Sequence, residues 1–105
     1  MINPYFPEPD LLSVRLGPLL GDYLYWLSRS RSLLEFESID FLDTQQQSDL
    51  LGRVHQTLSE VIAARSLFKA TYGQIGIELN LLETWHDLVS ECWQIMIQLR
   101  LGQSN

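Results

Sequence analysis

The feature that most constrains this fold is the spacing of apolar residues, which recur at alternating steps of three and four along three long segments. Such spacing places apolar side chains on one face of an α-helix. In the first segment two adjacent rows form a wide stripe: Leu12, Leu16, Leu19, Tyr23, Trp26 and Leu33, with Leu20, Leu24, Leu27 and Leu34 beside them. The pattern predicts a first helix from Asp10 to about Glu35.

Pro18 interrupts this first segment, with Gly17 before it and Gly21 after it. A proline inside a helix removes one backbone hydrogen bond, so we expect a kink or a break near the first third of the helix. The alternative is a short helix that ends at Gly17, followed by a new helix with Pro18 in its first turn.

A second helix is indicated after a connection over residues 36–43. Asp43 or Thr44 can cap its start, and Gln46 or Gln47 can complete a capping box. The inner row contains one charged residue, Arg65, among apolar ones: Leu51, Val54, Leu58, Val61, Phe68 and Tyr72. Gly73 suits a left-handed C-cap, so the helix should end near Tyr72.

The third helix is expected to follow a connection from Gly73 to Ile77. Asn80 and Glu83 have the spacing of a second capping box, which predicts a start at Leu81. The predicted inner face contains nine residues: Leu81, Leu82, Trp85, Leu88, Val89, Cys92, Ile95, Met96 and Leu99. Three helices with short connections run up, down and up.

The N-terminal residues differ in composition from the rest. Pro4, Pro7 and Pro9 disfavour a helix, so residues 1–9 are predicted to form an extended arm. Its aromatic residues, Tyr5 and Phe6, could pack back on the helices or reach a partner. The predicted fold is therefore all-α: an antiparallel up-down-up bundle of three long helices over residues 10–105, preceded by the arm.

Charge and cysteine content narrow the class of function. The formal net charge is −6, which disfavours nucleic acid and anionic membranes as partners. The single cysteine, Cys92, excludes an intramolecular disulfide, and the first residues lack the basic region and apolar run of a signal peptide. No segment has the apolar length of a membrane span. We expect a cytoplasmic protein.

The third helix carries more apolar residues than a three-helix bundle normally covers. Around the helix axis they spread over an arc of about 200°. Leu82, His86, Trp93 and Ile97 lie along one edge of this arc. An exposed aromatic and aliphatic strip marks a contact surface, so these four residues are predicted to bind a partner. The alternative is that neighbouring helices or the arm cover them.

Two other groups of residues carry alternative interpretations. Glu83 and His86 have the Glu-x-x-His spacing found in di-iron carboxylate bundles, but the chain has one such pair, and Glu83 can serve as a capping residue instead. Arg29 and Arg31 form the one local basic cluster. They either complement the dipole of the first helix or dock an acidic partner.

Four stretches are spread over nearly the whole chain: Pro7 to Leu12, Arg29 to Glu35, Leu67 to Thr71 and Trp85 to Trp93. In these stretches the chain resembles a family of small acidic cyanobacterial proteins of unknown function. The resemblance implies a photosynthetic bacterial source and assigns no activity.

The sequence contains no nucleophile elbow, phosphate loop or paired catalytic carboxylates. We therefore predict a non-enzymatic interaction protein without a cofactor, such as an adaptor, an assembly factor or a small regulator. The alternative is a bundle that binds a metal or a tetrapyrrole through Glu83 and His86 on dimerising. A plain homodimer is a third interpretation.

Overall fold

The computed structural model describes residues 11–73 and 77–103, and these form three α-helices without a strand. The helices are α1 (Leu11–Phe36), α2 (Thr44–Ala70) and α3 (Leu79–Gln103). They pack up, down and up into an elongated body of 56 × 26 × 20 Å. The predicted all-α bundle is confirmed. The predicted arm at residues 1–9 lies outside the described residues.

The first helix continues through Pro18 as one element. The alternative of two separate helices is therefore wrong, while the predicted kink stays a prediction. Pro18 is exposed, and the carbonyl group four residues earlier, which loses its partner, lies on the same side of the helix. Solvent on that side can satisfy the carbonyl, so the chain keeps its helical course.

The capping box predicted for α2 is confirmed. The backbone N–H of Gln46 donates to Asp43 Oδ1 at 2.7 Å, and the backbone N–H of Asp43 donates to Gln46 Oε1 at 2.9 Å. These bonds satisfy two backbone donors that the helix itself leaves unpaired. The start of α2 is thus determined locally by the sequence.

Gln47, the alternative capping partner, instead joins α2 to the end of α1. Its side-chain amide donates to the carbonyl oxygens of Leu34 at 2.9 Å and Glu37 at 2.7 Å, and its Oε1 accepts from the N–H of Ile39 at 3.2 Å. Ile39 is buried in the core. One amide side chain therefore holds the first part of the α1–α2 connection, up to Ile39.

The core lies between the three helices and is mostly aliphatic. Trp85 is its largest fully buried side chain. The buried hydrophobic residues are Leu16, Leu20, Tyr23, Leu27 and Leu34 from α1, Ile39 from the connection, Leu50, Val54, Leu58 and Val61 from α2, and Trp85, Leu88 and Cys92 from α3. Helix α1 packs against both other helices, whereas α2 and α3 contact each other least.

Polar contacts supplement the narrow α2–α3 interface. Arg53 forms a bidentate ion pair with Glu91, at 2.7 and 3.1 Å. Nearer the C-terminal end of α2 and the N-terminal end of α3, the indole N–H of Trp85 donates to Glu60 Oε1 at 3.0 Å. These pairings confirm that α2 and α3 run antiparallel, because the residue number falls on one helix as it rises on the other.

Helix α2 ends at Ala70, two residues before the predicted end near Tyr72. The N–H of Gly73 donates to Phe68 O and the N–H of Tyr72 donates to Lys69 O, which together form a Schellman motif. In this motif Tyr72, with φ 54°, occupies the left-handed position, and Gly73 follows with φ 78°. Tyr72 is 92% exposed, so its predicted place on the inner row is wrong.

The start of α3 is also corrected. The helix begins at Leu79, and the N–H groups of Leu81 and Leu82 both donate to Glu78 O. Asn80 lies inside the first turn, so the predicted Asn80–Glu83 capping box is wrong. The chain enters the helix early because Ile77, just before it, packs against the core. Leu81, predicted to face inward, is exposed.

Two glycines inside helices give a test of this packing. A Cβ added at Gly52 would meet no atom within 4 Å, whereas one at Gly17 would lie 3.2 Å from Phe68 Cε1. Glycine costs a helix interior about 1 kcal/mol relative to alanine. We expect Gly52→Ala to raise the free energy of unfolding by about that amount in urea denaturation, and Gly17→Ala to give no gain. Equal gains would contradict the described Gly17–Phe68 contact.

The left-handed conformation of Tyr72 gives a second test. An L-residue with a Cβ costs roughly 1–2 kcal/mol there, and this exposed ring loses little burial on replacement. After allowance for the flexibility of glycine in the unfolded chain, Tyr72→Gly should stabilise the protein by about 0.5–1 kcal/mol in thermal or urea unfolding. Tyr72→Ala is the control, since it removes the ring and keeps the strain. A similar gain from both variants would show that the ring, not the backbone, is unfavourable.

Candidate groove between α1 and α3

A groove of about 510 Å³ lies between α1 and α3, and we call it the α1–α3 groove. Its walls are mainly aromatic and aliphatic side chains with two arginines: Tyr25, Trp26, Arg29 and Leu33 from α1, and Trp93, Met96, Ile97, Leu99 and Arg100 from α3. The two helices run parallel, as Tyr23 contacts His86 and Trp26 contacts Trp93 further along both. The groove therefore follows the helix axes towards their C-terminal ends.

An aromatic pair forms the part of the groove nearest the N-terminal ends of α1 and α3. The rings of Trp26 and Trp93 meet edge to face, with centroids 6.3 Å apart, and Tyr25 packs edge-on against Trp26 at 5.0 Å. Trp93 remains 48% exposed and Ile97 41% exposed. The bundle thus leaves a large aromatic surface in contact with water, which is typical of a binding surface.

Arg29 extends along the α1 wall. Its guanidinium lies 5.7 Å from the centroid of the Tyr25 ring, and Nη1 donates to the Tyr25 hydroxyl at 3.3 Å. Both contacts are with a neutral side chain, and Arg29 forms no ion pair within the described part of the chain. Arg100 lies on the opposite wall. The described residues that line this groove include no carboxylate, although the whole chain is acidic.

The structure brings together three of the residues predicted to bind a partner. Trp93, Ile97 and Arg29 all line the α1–α3 groove. Leu82 instead packs, partly buried, against the core. Arg31 stands about 200° around α1 from Arg29, so the two arginines do not act as one cluster.

His86 lies lower on α3, outside the groove, and is exposed. Its Nδ1 is 3.2 Å from the Tyr23 hydroxyl. This hydrogen bond gives His86 a structural partner across the α1–α3 interface. Tyr5 and Phe6 lie outside the described residues.

Sequence reasoning missed most of the α1 wall. The apolar spacing predicts Trp26 and Leu33 on the buried stripe of α1, whereas the structure leaves both partly exposed at its edge. Tyr25 fell outside that stripe, and its 54% exposure makes it part of the groove. The available signal was an aromatic pair, Tyr25 and Trp26, at one edge of the apolar stripe. That signal becomes specific only when the position of α3 is known.

The outer face of α1 offers a second, larger and more open surface of about 810 Å³. It shares Tyr25, Arg29 and Leu33 with the α1–α3 groove, and its other lining residues are Gly21, Leu24, Ser28, Ser32, Phe36 and Glu37. Phe36 is 81% exposed. One helix and the residue after it supply the whole lining, so the surface lacks a second wall. We therefore place the candidate site in the α1–α3 groove.

The alternative metal site is predicted at Glu83 and His86. Within the described residues, no group of three or more histidine, cysteine or acidic side chains could hold a metal ion, so this pair gains no further ligand there. Glu83 and His86 are both exposed near the start of α3. The other histidine, His55, lies with Nε2 3.0 Å from Glu35 Oε1, on a different side of the bundle.

Cys92 is buried beside the groove wall, in the core. Burial raises the pKa of its thiol, and a hydrogen bond with Ser30 opposes this in part. A thiolate is the reactive form of cysteine, so the raised pKa makes this thiol a weak nucleophile. Burial also raises the pKa of the Tyr23 phenol.

Together, fold and site define an all-α three-helix bundle with an aromatic groove on one flank. A model of the DUF2605 family, described as a protein of unknown function, matches residues 6–101. The chain therefore belongs to this family. Comparison with curated proteins and with solved structures yields no match.

Among the described residues, no helix has the length and apolar character needed to cross a membrane.

The raised pKa values predict how stability changes at alkaline pH. A thiol with a raised pKa in the folded state holds its proton more tightly there, so its contribution is complete below the unfolded pKa and is lost as the pH rises through the folded pKa. For Cys92 the loss begins near the ordinary pKa of 9.0. We expect the free energy of unfolding to fall above about pH 9, and to fall less steeply in Cys92→Ala.

Urea denaturation of both chains at neutral pH and at about pH 10 measures this difference. The comparison between the two chains isolates the thiol, because all other groups that titrate in this range are shared. Parallel decreases in both would show that burial of Cys92 does not contribute.

Proposed function

We propose that the chain is a non-enzymatic interaction module that binds another protein through the α1–α3 groove. The observation that carries the proposal is the half-exposed Trp93 beside Ile97, on a groove whose other wall contains Tyr25 and Trp26. Tryptophan, tyrosine and arginine are the residues most enriched where binding energy concentrates in protein interfaces. All three line this groove.

The cellular setting is part of the same proposal. The sequence resemblance to small cyanobacterial proteins supports a cyanobacterial source. A single cysteine is compatible with a reducing compartment, which supports the cytoplasm. The role is that of an adaptor, an assembly factor or a small regulator, since each of these acts by binding.

The experiment is quantitative capture of partners from a cyanobacterial lysate with the tagged native chain and two isoleucine variants. Ile97 lies in the groove and is 41% exposed, whereas Ile62 lies on α2 and is 49% exposed. Ile97→Ser should weaken binding of the captured partner at least about tenfold, as expected for loss of a central apolar contact. Ile62→Ser is the matched control and should bind like the native chain.

Circular dichroism of both variants would first establish that they fold. Equal binding by Ile97→Ser and Ile62→Ser would overturn the assignment of the groove. Binding of the captured partner by Trp93→Ala is a second, independent test of the same surface.

Two further measurements separate this proposal from the other interpretations. Sedimentation of the purified chain should give the mass of one 12.2 kDa chain, whereas twice that mass would indicate a homodimer. Metal analysis and an absorption spectrum should show neither metal nor pigment. A metal or tetrapyrrole that copurifies with the native chain and is lost in His86→Ala would favour binding through Glu83 and His86.

A further inference from the structure

The charge of the α1–α3 groove points to a particular kind of occupant. The chain has 13 acidic and 7 basic side chains, yet the described residues that line the groove include two arginines and no acid. Arg29 is held against Tyr25 and makes no ion pair within the described residues. The apolar surface therefore lies between positive charges on an otherwise negative molecule. A partner with the complementary pattern would carry carboxylates beside apolar side chains.

The positions of the arginines follow from the contacts between α1 and α3. Trp26 contacts Trp93, and the Tyr23 hydroxyl is hydrogen-bonded to His86, so these α3 residues lie 67 and 63 positions after their α1 partners. By this register Arg100 lies level with a position between Leu33 and Glu37, roughly 6–12 Å further along the helix axes than Arg29. The two positive charges thus stand on opposite walls, about one to two helical turns apart.

The form of the occupant follows from the walls. Both are helices, whose backbone groups are already hydrogen-bonded inside each helix, so the groove has no strand edge to which an extended peptide could pair. A helix that lies along the groove would instead place apolar side chains at steps of three and four against Trp93 and Ile97. Its flanking positions would then face Arg29 on one side and Arg100 on the other.

We propose that the occupant of the α1–α3 groove is an acidic amphipathic helix of a partner protein, with carboxylates on both flanks of its apolar stripe. This proposal rests on the proposed function and specifies its partner. A second copy of the chain fits the groove less well. A two-fold dimer through this groove would bring Arg29 and Arg100 of each copy close to the same arginines of the other.

A displayed library of amphipathic helices tests the proposal without knowledge of the natural partner. The apolar stripe is kept constant, the flanking positions vary among Glu, Lys, Gln and Ser, and the library is selected on the purified native chain. We expect glutamate to be enriched on both flanks. The dissociation constant of the best helix should rise at least tenfold in the double variant Arg29→Glu with Arg100→Glu, and it should rise with salt concentration.

A selection on the double variant should enrich lysine instead. The matched control is Arg15→Glu with Lys69→Glu, which makes the same change of charge at two exposed positions outside the groove and should leave the dissociation constant within about twofold. Circular dichroism would confirm that both double variants fold.

Each remaining outcome overturns the proposal. Helices without a charge preference would show that the arginines do not select the partner, and enrichment of lysine would reverse the assigned charge. Recovery of no helix would exclude this form of occupant. These failures are distinguishable from failure of the proposed function, which is decided by capture from lysate with Ile97→Ser and Ile62→Ser.

Discussion

The packing of α1 against both other helices is the interaction on which the rest of this structure depends. Helix α1 buries Leu20 and Leu27 completely, and its two neighbours contact each other least among the three helix pairs. Each buried aliphatic side chain contributes about 1.5–3 kcal/mol, whereas an exposed ion pair such as Arg53–Glu91 contributes about 0–1 kcal/mol. The position of α3 is therefore determined mainly by its fit to α1, and the polar contacts with α2 refine it.

The packing of α1 against two helices also explains where the groove lies. One side of its stripe faces α2 and the other faces α3, so the aromatic residues at the α3 edge are only partly covered. Trp26 and Trp93 meet edge to face and leave much of Trp93 in solvent. Complete burial of this pair would need a fourth element over the groove. A partner helix is one such element, and it would bury surface that the chain alone leaves exposed.

The elements that sequence reasoning predicted well are those determined by local chemistry. The helix periods and the Asp43–Gln46 capping box depend on residues within one or two turns, and the structure confirms both. The predictions that were wrong depended on distant contacts or on backbone strain. Burial of Ile77 moves the start of α3 ahead of the expected cap at Asn80, and Tyr72 adopts a left-handed conformation that favours glycine.

The candidate site also has one wall that the sequence predicts and one wall that depends on distant contacts. The sequence predicts that Trp93 and Ile97 belong to a contact surface, because α3 alone carries more apolar residues than a three-helix bundle covers. The opposite wall required the register between α1 and α3, which no local pattern encodes. Register also decides that Arg100 belongs to the site, because it places this residue across the groove from α1. The separation of Arg31 from Arg29, by contrast, follows from the helix period alone. Since both walls are helices of the bundle itself, the groove exists before a partner binds, and little conformational entropy is lost in forming it. A small bundle without room for a deep active site can in this way still present a selective surface.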